Sequence, residues 1–298
     1  MLENVIDHLA CPVCRGELTL AARIVRCARG HVFDVARQGY VSLLTGSGGA
    51  GTADTPAMVA ARERFLAEGH YAPLAERVAG LAAELVEDAG RKTSPAPEMP
   101  GTGPDLVVDA GAGTGYLLAR VLDAVGGAGL AIDISKHAIK RAARAHPRVG
   151  AVVADVWRPL PVRDGRAALV LNAFAPRNGP EFARVLAPGG TLLVVTPAPG
   201  HLGGLVGGLG LLSVDEDKDR RLAAALSGHF TQIAEVRVET EMALDHEAVE
   251  AVVSMGPSAW HTDAAALRER IERLPERSMV PALFRITIWK GEDADIRS

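Results

Sequence analysis

The chain has 298 residues, 48% hydrophobic and 23% charged, a composition that calls for a packed globular core and excludes a disordered or fibrous chain. Its net charge of −4 lacks the basic footprint usual in nucleic-acid binders. The longest apolar-looking run, HLGGLVGGLGLLSV (201–214), is too short and too glycine-rich to span a bilayer, so no membrane partner is expected.

The N-terminus carries acidic Glu3 and Asp7 and reaches cysteine by residue 11, which is not the pattern of a secretory signal; a cytoplasmic protein is expected. Up to about residue 45 the chain alternates turn residues with short strand-like runs, ELTL, RIVRC, HVFDV and YVSLL, and no helix of ordinary length fits. Its five arginines and four acids give a net of +1, leaving −5 for the remainder. Arginine grips phosphate with paired donors and stacks on bases, although a solvated surface of mixed charge fits this count equally well. So small a segment needs a staple. The spacing Cys11-x2-Cys14-x12-Cys27-x3-His31, with turn residues Pro12, Gly16 and Gly30, brings two chelating loops together and suits tetrahedral zinc. Three cysteines leave one over in any disulfide scheme, whereas His31 completes a set of four. Four protein ligands leave no position for water, so the zinc is expected to be structural.

TGSGGAGTADTP (45–56) reads as a hinge, and Thr55–Pro56 as a cap and first turn of a helix that stops at Gly69. A second helix, with Pro73 near its start, runs to about residue 90, and RKTSPAPEMPGTGP (91–104) reads as a linker. From residue 105 strand and helix alternate: DLVVDAG, GYLLARVLDAVG, GLAIDIS, KHAIKRAARAH, VGAVVAD, AALVLNAF, PEFARVL and GTLLVVTP. Continuously apolar strands alternating with helices predict a parallel sheet covered on both faces. Further helices are expected near 215–228 and 262–273, and the runs IAEVRVETEMAL and ALFRITIWKG predict an antiparallel edge.

Gly111, Gly113 and Gly115 follow the first strand of this region and precede its helix, where glycine lets the chain turn and a ligand approach. Asp109, Asp133 and Asp155 each end a strand. A carboxylate at Asp133 can accept both ribose hydroxyls of an adenosine. Tyr116 stands where a dinucleotide site has its third glycine, and acids near a cationic sulfur are tolerable, so S-adenosylmethionine (SAM) is favoured over NAD. Taken singly, each acid also reads as a strand-end turn residue.

The zinc-type spacing together with FDVARQGYVSLL, ARERFLAEGHY, VVDAGAGTGY, DISKHAIKRAA, RVLAPGGTLLVVTPAPGHL and MGPSAWH resembles the 23S rRNA guanine-N1 methyltransferases of the RlmA type, over nearly the whole chain, and most of all the branch that resists tylosin-like macrolides. The resemblance implies an α/β, Rossmann-like SAM-dependent methyltransferase domain with a mostly parallel seven-stranded sheet, preceded by a small zinc-binding β domain. The organisation expected is a zinc-binding RNA-recognition domain at 1–45, hinge, helices and linker at 46–104, and the methyltransferase at 105–298. It implies a target guanine in the hairpin 35 loop of 23S rRNA, zinc on Cys11, Cys14, Cys27 and His31, and cofactor contacts at Tyr71, Gly113, Thr114 and His201. One stretch departs from the family: NAFAPRN (172–178) places Phe174 and Arg177 where a Tyr-Ala-Pro-Cys type sequence is usual, which bears on target choice.

On this reading Asp133 holds the ribose, and Tyr71 and His201 close over the cofactor. Asn172 orients a base edge, Phe174 or Trp260 stacks on an extruded base, and the general base is not identified. A homodimer stays open. Two rivals remain: a small-molecule, quinone-type SAM methyltransferase with a structural zinc domain, and a non-catalytic zinc adaptor. Deleting residues 1–45 is expected to separate the first from an RNA enzyme, since only the latter needs the zinc segment to bind substrate.

Overall fold

A computed structural model describes residues 1–46, 53–93, 106–209, 223–256 and 263–292. The expected hinge, the linker, part of the 215–228 helix, and Trp260 lie largely or wholly outside the described residues.

After two short 3-10 turns, β1 (Leu18–Ala21), β2 (Ile24–Cys27) and β3 (Val32–Asp34) form a small antiparallel sheet. β4 (Tyr40–Ser42) leaves it and pairs in parallel with β7 (Val149–Val153) of the main sheet. Two helices follow. α1 (Pro56–Ala67) begins as its sequence predicts, with Thr55 Oγ1 accepting from the Met58 N–H at 3.3 Å and proline at the first position. α2 (Ala72–Thr93) is amphipathic and turns its apolar stripe, Leu74, Val78 and Leu81, to the core.

The remaining elements run β5 (Leu106–Ala110), α3 (Tyr116–Val125), β6 (Ala128–Asp133), α4 (Lys136–Ala142), β7, β8 (Ala167–Ala173), α5 (Gly179–Val185), β9 (Leu186–Pro197), α6 (Gly203–Leu209), β10 (Phe230–Asp245), α7 (His246–Ser254), α8 (Ala264–Ile271) and β11 (Arg277–Gly291). The main sheet has the order β10-β11-β9-β8-β5-β6-β7-β4, parallel from β4 to β9 and antiparallel at β9–β11–β10. Seven of its strands come from the region after residue 105, as expected, and β4 adds an eighth from the N-terminal segment. α6 and α7 were not foreseen. The first lies in a glycine-rich run with weak helical signal, and the second follows directly on a long strand with only the Asp245 cap to announce it.

Alternation along the buried strands sorts the core into two layers. Val107, Ala131, Val153, Leu169 and Leu193 face one side, where α1–α4 and α6–α8 cover them. Val108, Ile132, Val152, Val170 and Leu192 face the other. There the chain between β7 and β8 forms turns and no helix, so one crossover helix of a doubly wound sheet is missing. The N-terminal segment takes its place: Leu2, Val5, Leu9, Cys11, Leu18, Val25 and Cys27 share this layer with Leu130, Val152, Leu160 and Val162. Val5 lies so close to β7 that a Cβ added at Gly150 would stand 2.2 Å from Val5 Cγ2. Polar contacts fix the docking. The Ala10 N–H donates to Pro161 O at 3.1 Å, Arg15 donates to Leu160 O and Val162 O at 2.7 and 3.0 Å, and the Met1 ammonium donates to Pro147 O at 3.0 Å.

Filling the Gly150 position must therefore push the N-terminal layer off the sheet. Gly150→Val is expected to lower stability by about 1–3 kcal/mol, as overpacking generally does, read as the shift in the urea midpoint; an unchanged midpoint would show that the docked layer contributes nothing.

Candidate functional site: a four-ligand metal knot and a glycine turn at the strand ends

The metal knot comes from two tight turns. Cys11–Gly16 closes through the Cys11 N–H to Gly16 O (2.8 Å) and the Arg15 N–H to Cys11 O (2.8 Å), with Arg15 itself left-handed at φ 61°. Cys27–His31 closes through the Gly30 N–H to Cys27 O and the Cys27 N–H to His31 O. The four ligand atoms lie within 4.8 Å of one another, with Cys27 Sγ to His31 Nδ1 at 3.2 Å, Cys11 Sγ to His31 Nδ1 at 3.6 Å and Cys14 Sγ to Cys27 Sγ at 3.7 Å. A zinc tetrahedron with bonds of about 2.0–2.3 Å has edges of just this size. Burial pushes the Cys11 thiol up. At Cys27 burial acts the same way, but hydrogen bonds from the His31 backbone and ring and from Arg29 outweigh it and bring the thiol down to about 6, toward the ligating thiolate. The set accepts zinc in all four directions, and Nδ1 of His31 is the nitrogen that points inward.

The second centre lies at the carboxyl end of β5, where the strand order reverses between β6 on one side and β8 on the other, the place where open α/β sheets bind ligands. Gly111 has φ 91°, and a Cβ there would overlap Ala175 Cβ at 2.2 Å, so glycine lets the loop after β8 close against the turn. Gly115 (φ 79°) ends the turn against α4, with Ala142 Cα at 3.0 Å from the position a Cβ would take. Gly113 and the buried Thr114 form the crest between them.

Asp109 is 2% exposed on the helix-covered side of β5, and its Oδ1 has no hydrogen-bond partner among the described residues. Burial, with the charge of Asp133 beside it, pushes the Asp109 carboxyl up to about 8. Asp133 accepts the Gly113 N–H on Oδ2 at 2.9 Å and the Ser135 N–H on Oδ1 at 2.8 Å. Each of its oxygens keeps a second lone pair for a ribose hydroxyl. Asp155, just beyond β7, is half-buried; it accepts the Trp157 N–H at 3.0 Å and faces Arg158 at 3.7 Å. Two neighbouring acids, one with an unpartnered oxygen and easily protonated, make surroundings that a cation stabilises, and the ammonium and sulfonium of SAM are cations.

An aromatic wall stands next to the turn. Tyr71 packs edge-on against Phe65 and Phe284, at centroid distances of 5.1 and 4.9 Å, and Phe174 and His201 lie 6.5 and 6.3 Å away. The Leu283 N–H donates to His201 Nδ1 at 3.2 Å, which leaves the ring proton on Nε2, 3.4 Å from Tyr71 Oη. Burial holds the Tyr71 phenol well above its usual range, so it stays neutral. Phe174 is 47% exposed with φ 55°, a bulky residue held in the left-handed region by the loop after β8. Asn172 is fully buried, and both of its amide protons are engaged, by Ala110 O at 2.8 Å and Pro176 O at 2.9 Å. Its amide thus ties the end of β5 to the Phe174 loop; only Oδ1, unpartnered among the described residues, remains as an acceptor. Phe284 and Arg62, both at this site, were not singled out from the sequence. Phe284 sits inside a long strand with no local signal, and Arg62 lies within ARERFLAEGHY among other charged residues.

A sheet of this order with acids at the strand ends and a glycine turn on β5 defines a SAM-dependent methyltransferase, here carrying a zinc ribbon with three cysteine ligands and one histidine. Residues 9–45 match the family model described as "RlmA, N-terminal", and residues 107–190 match a methyltransferase domain. The 23S rRNA (guanine(748)-N(1))-methyltransferase of Streptomyces fradiae is 52% identical over 92% of this chain and 94% of its own length. A candidate 23S rRNA (guanine-N(1)-)-methyltransferase of Micromonospora griseorubida is 50% identical over 97% of this chain and 99% of its own. Among solved structures, a SAM-dependent methyltransferase from Geobacter sulfurreducens in complex with S-adenosyl-L-homocysteine superposes with a TM-score of 0.41 at 17% identity, covering 71% of this chain and 90% of that one. The chain belongs to the family of 23S rRNA (guanine-N1)-methyltransferases.

Two measurements probe the two centres. Cys14→Ser is expected to release zinc and to lower the melting temperature of the whole protein in one transition, because the ribbon is a layer of the main core; a ribbon that melts separately and leaves the sheet intact would contradict this. For Asp109, the folded carboxyl titrates near 8 against 3.8 in an unfolded chain. The folded state therefore holds a proton that the unfolded state has lost, and stability falls as pH rises from about 4 to about 8. Asp109→Asn removes that loss, so its gain in melting temperature is expected to grow across this interval and level off above it. A gain independent of pH would place the carboxyl at an ordinary value.

Proposed function

We propose that the protein transfers a methyl group from SAM to N1 of a guanine in the hairpin 35 loop of 23S rRNA in the cytoplasm, and so confers resistance to tylosin-like macrolides. Support comes from a zinc ribbon fixed against the flank of a SAM-type turn, in a chain half identical to a protein named for methylation of guanine 748. The cofactor supplies an electrophilic methyl on a sulfonium. Asp133 offers its free lone pairs to the ribose, the backbone at Gly113 and Thr114 lets the cofactor lie close, and the acid pair favours its positive charge. Asp155 stands just beyond the next strand, β7.

Tyr71 and His201 form the wall on the other side of the turn, and their mutual contact keeps the Tyr71 ring edge-on to Phe284. Phe174 presents an exposed face on which an extruded base can stack, held in place by the amide of Asn172 through Pro176. Guanine N1 loses a proton in the reaction. Asn172 Oδ1 is an acceptor near the strand ends but too weak a base to remove it, so positioning carries most of the rate and water takes the proton. Departure from the usual loop sequence at Phe174 and Arg177 then acts on which guanine is seated.

The docked ribbon alters how the small-molecule rival is tested. Deleting residues 1–45 uncovers the sheet face lined by Leu130, Ile132 and Val152 and would cripple an enzyme with any substrate. The informative experiment is primer extension on 23S rRNA from cells with and without the protein. A methyl on N1 blocks reverse transcription, so a new stop in the hairpin 35 loop is expected, with reduced susceptibility to tylosin. Normal read-through with turnover of a quinone-type substrate would favour the rival.

A further inference from the structure

The acids at the glycine turn leave half of the cofactor unaccounted for. The amino-acid end of SAM is a zwitterion, and the neighbouring acids Asp109 and Asp133 suit its ammonium, while the Asp133 carboxylate repels its carboxylate. A guanidinium lies against the crest of the turn. Arg62, on α1, places Nη1 3.3 Å from the position that a Cβ on Gly113 would occupy, with Cδ at 3.8 Å. Its Nη2 donates to Met255 O at the end of α7 at 2.8 Å, which anchors the group from behind. Nη1 pairs with Asp54 Oδ2, and Arg62 and Asp54 retain 24% and 22% of their side-chain exposure. Asp54 is itself held over the turn, its carbonyl accepting the Ser135 hydroxyl at 2.8 Å. A carboxylate on an arginine above the glycine crest, beside Asp133, is the arrangement a ligand carboxylate would need.

We propose that Arg62 is the receptor for the α-carboxylate of SAM, and that Asp54, its partner here, competes with that carboxylate for the guanidinium. The proposal rests on the SAM-binding reading of the turn. Arginine suits the task because its fork offers a carboxylate two donors at once while Met255 O retains a third. Gly113 is then glycine for a second reason: any side chain there would intrude on the guanidinium and its guest.

The test uses the full-length, zinc-loaded protein and two ligands, S-adenosylhomocysteine and 5′-methylthioadenosine, the latter keeping the adenosine and thioether but lacking the amino-acid end. Calorimetric titration of the wild type is expected to show tighter binding of S-adenosylhomocysteine. Arg62→Gln should weaken S-adenosylhomocysteine by about 10- to 100-fold, the size of a lost charged hydrogen-bond pair, and leave 5′-methylthioadenosine within about twofold. Arg62→Lys, with the charge but not the fork, should fall between. Asp54→Asn should tighten S-adenosylhomocysteine alone, since the competitor is gone. Equal loss of both ligands in Arg62→Gln, or no loss of S-adenosylhomocysteine, overturns the proposal. If Arg62→Gln does not fold, Asp54→Asn decides: an unchanged ligand preference overturns it. Wild-type protein that binds neither ligand would instead overturn the SAM reading of the site.

Discussion

Packing of the N-terminal segment against the bare face of the main sheet is the contact on which the rest depends. A doubly wound sheet buries both faces, and here the chain between β7 and β8 supplies no helix to do so. Val5, Leu9, Leu18 and Val25 fill that place, and β4 continues the sheet beyond β7. The segment is too small to hold such a surface by its own core, and the four-ligand knot gives it shape. Cys11 and Cys27 are therefore core residues and metal ligands at once, buried in the same layer as Leu160 and Val162. Zinc bound at these four ligands would stabilise the methyltransferase as well as the ribbon.

The same docking sets the geometry of the active side. Asp155 lies two residues beyond β7, which is flanked by β4, so the ribbon and the cofactor turn are referenced to one sheet. Arg15 reaches across to the carbonyls of Leu160 and Val162, and Arg184, on α5, grips the same two at 3.1 and 2.8 Å. Glu181 balances the pair: it bonds Arg184 at 2.6 Å and accepts the Leu160 N–H, and despite the upward push of burial these partners hold its carboxyl below the usual range. A charged network thus fastens the N-terminal segment to the β7–β8 connection and to α5.

Much of this was legible in the sequence because local chemistry repeats at fixed spacing. The Cys11–Cys14–Cys27–His31 set, the Thr55–Pro56 cap and the Gly111–Gly113–Gly115 turn each need only a few neighbouring residues to be recognised. What stayed hidden depends on contacts far apart in the chain. The ribbon reads as a free finger, since nothing in VIDHLA announces that Val5 will meet Gly150. Asn172 reads as a hydrogen-bonding arm at the strand end, and the structure shows its amide engaged by two backbone carbonyls. Arg62 looks like any helix-surface arginine until α1 is folded over the turn, 51 residues from Gly113, and meets Met255 on the far side.

The docked ribbon also divides its arginines by task. Arg15 is taken up by Leu160 and Val162, and Arg23 donates to Val35 O at 3.1 Å within the small sheet. Arg26, Arg29 and Arg37 are exposed, and their guanidinium groups make no hydrogen bond or ion pair among the described residues. Arg26 and Arg29 flank the Cys27 ligand on the arm whose turn carries His31, next to the exposed Val32. An RNA backbone gripped by the ribbon would meet these three guanidinium groups and not all five. Phosphate contacts of this kind fix orientation without reading sequence. On that division the ribbon would fix where the RNA lies, and recognition of the guanine would fall to the loop of Asn172 and Phe174 at the strand ends.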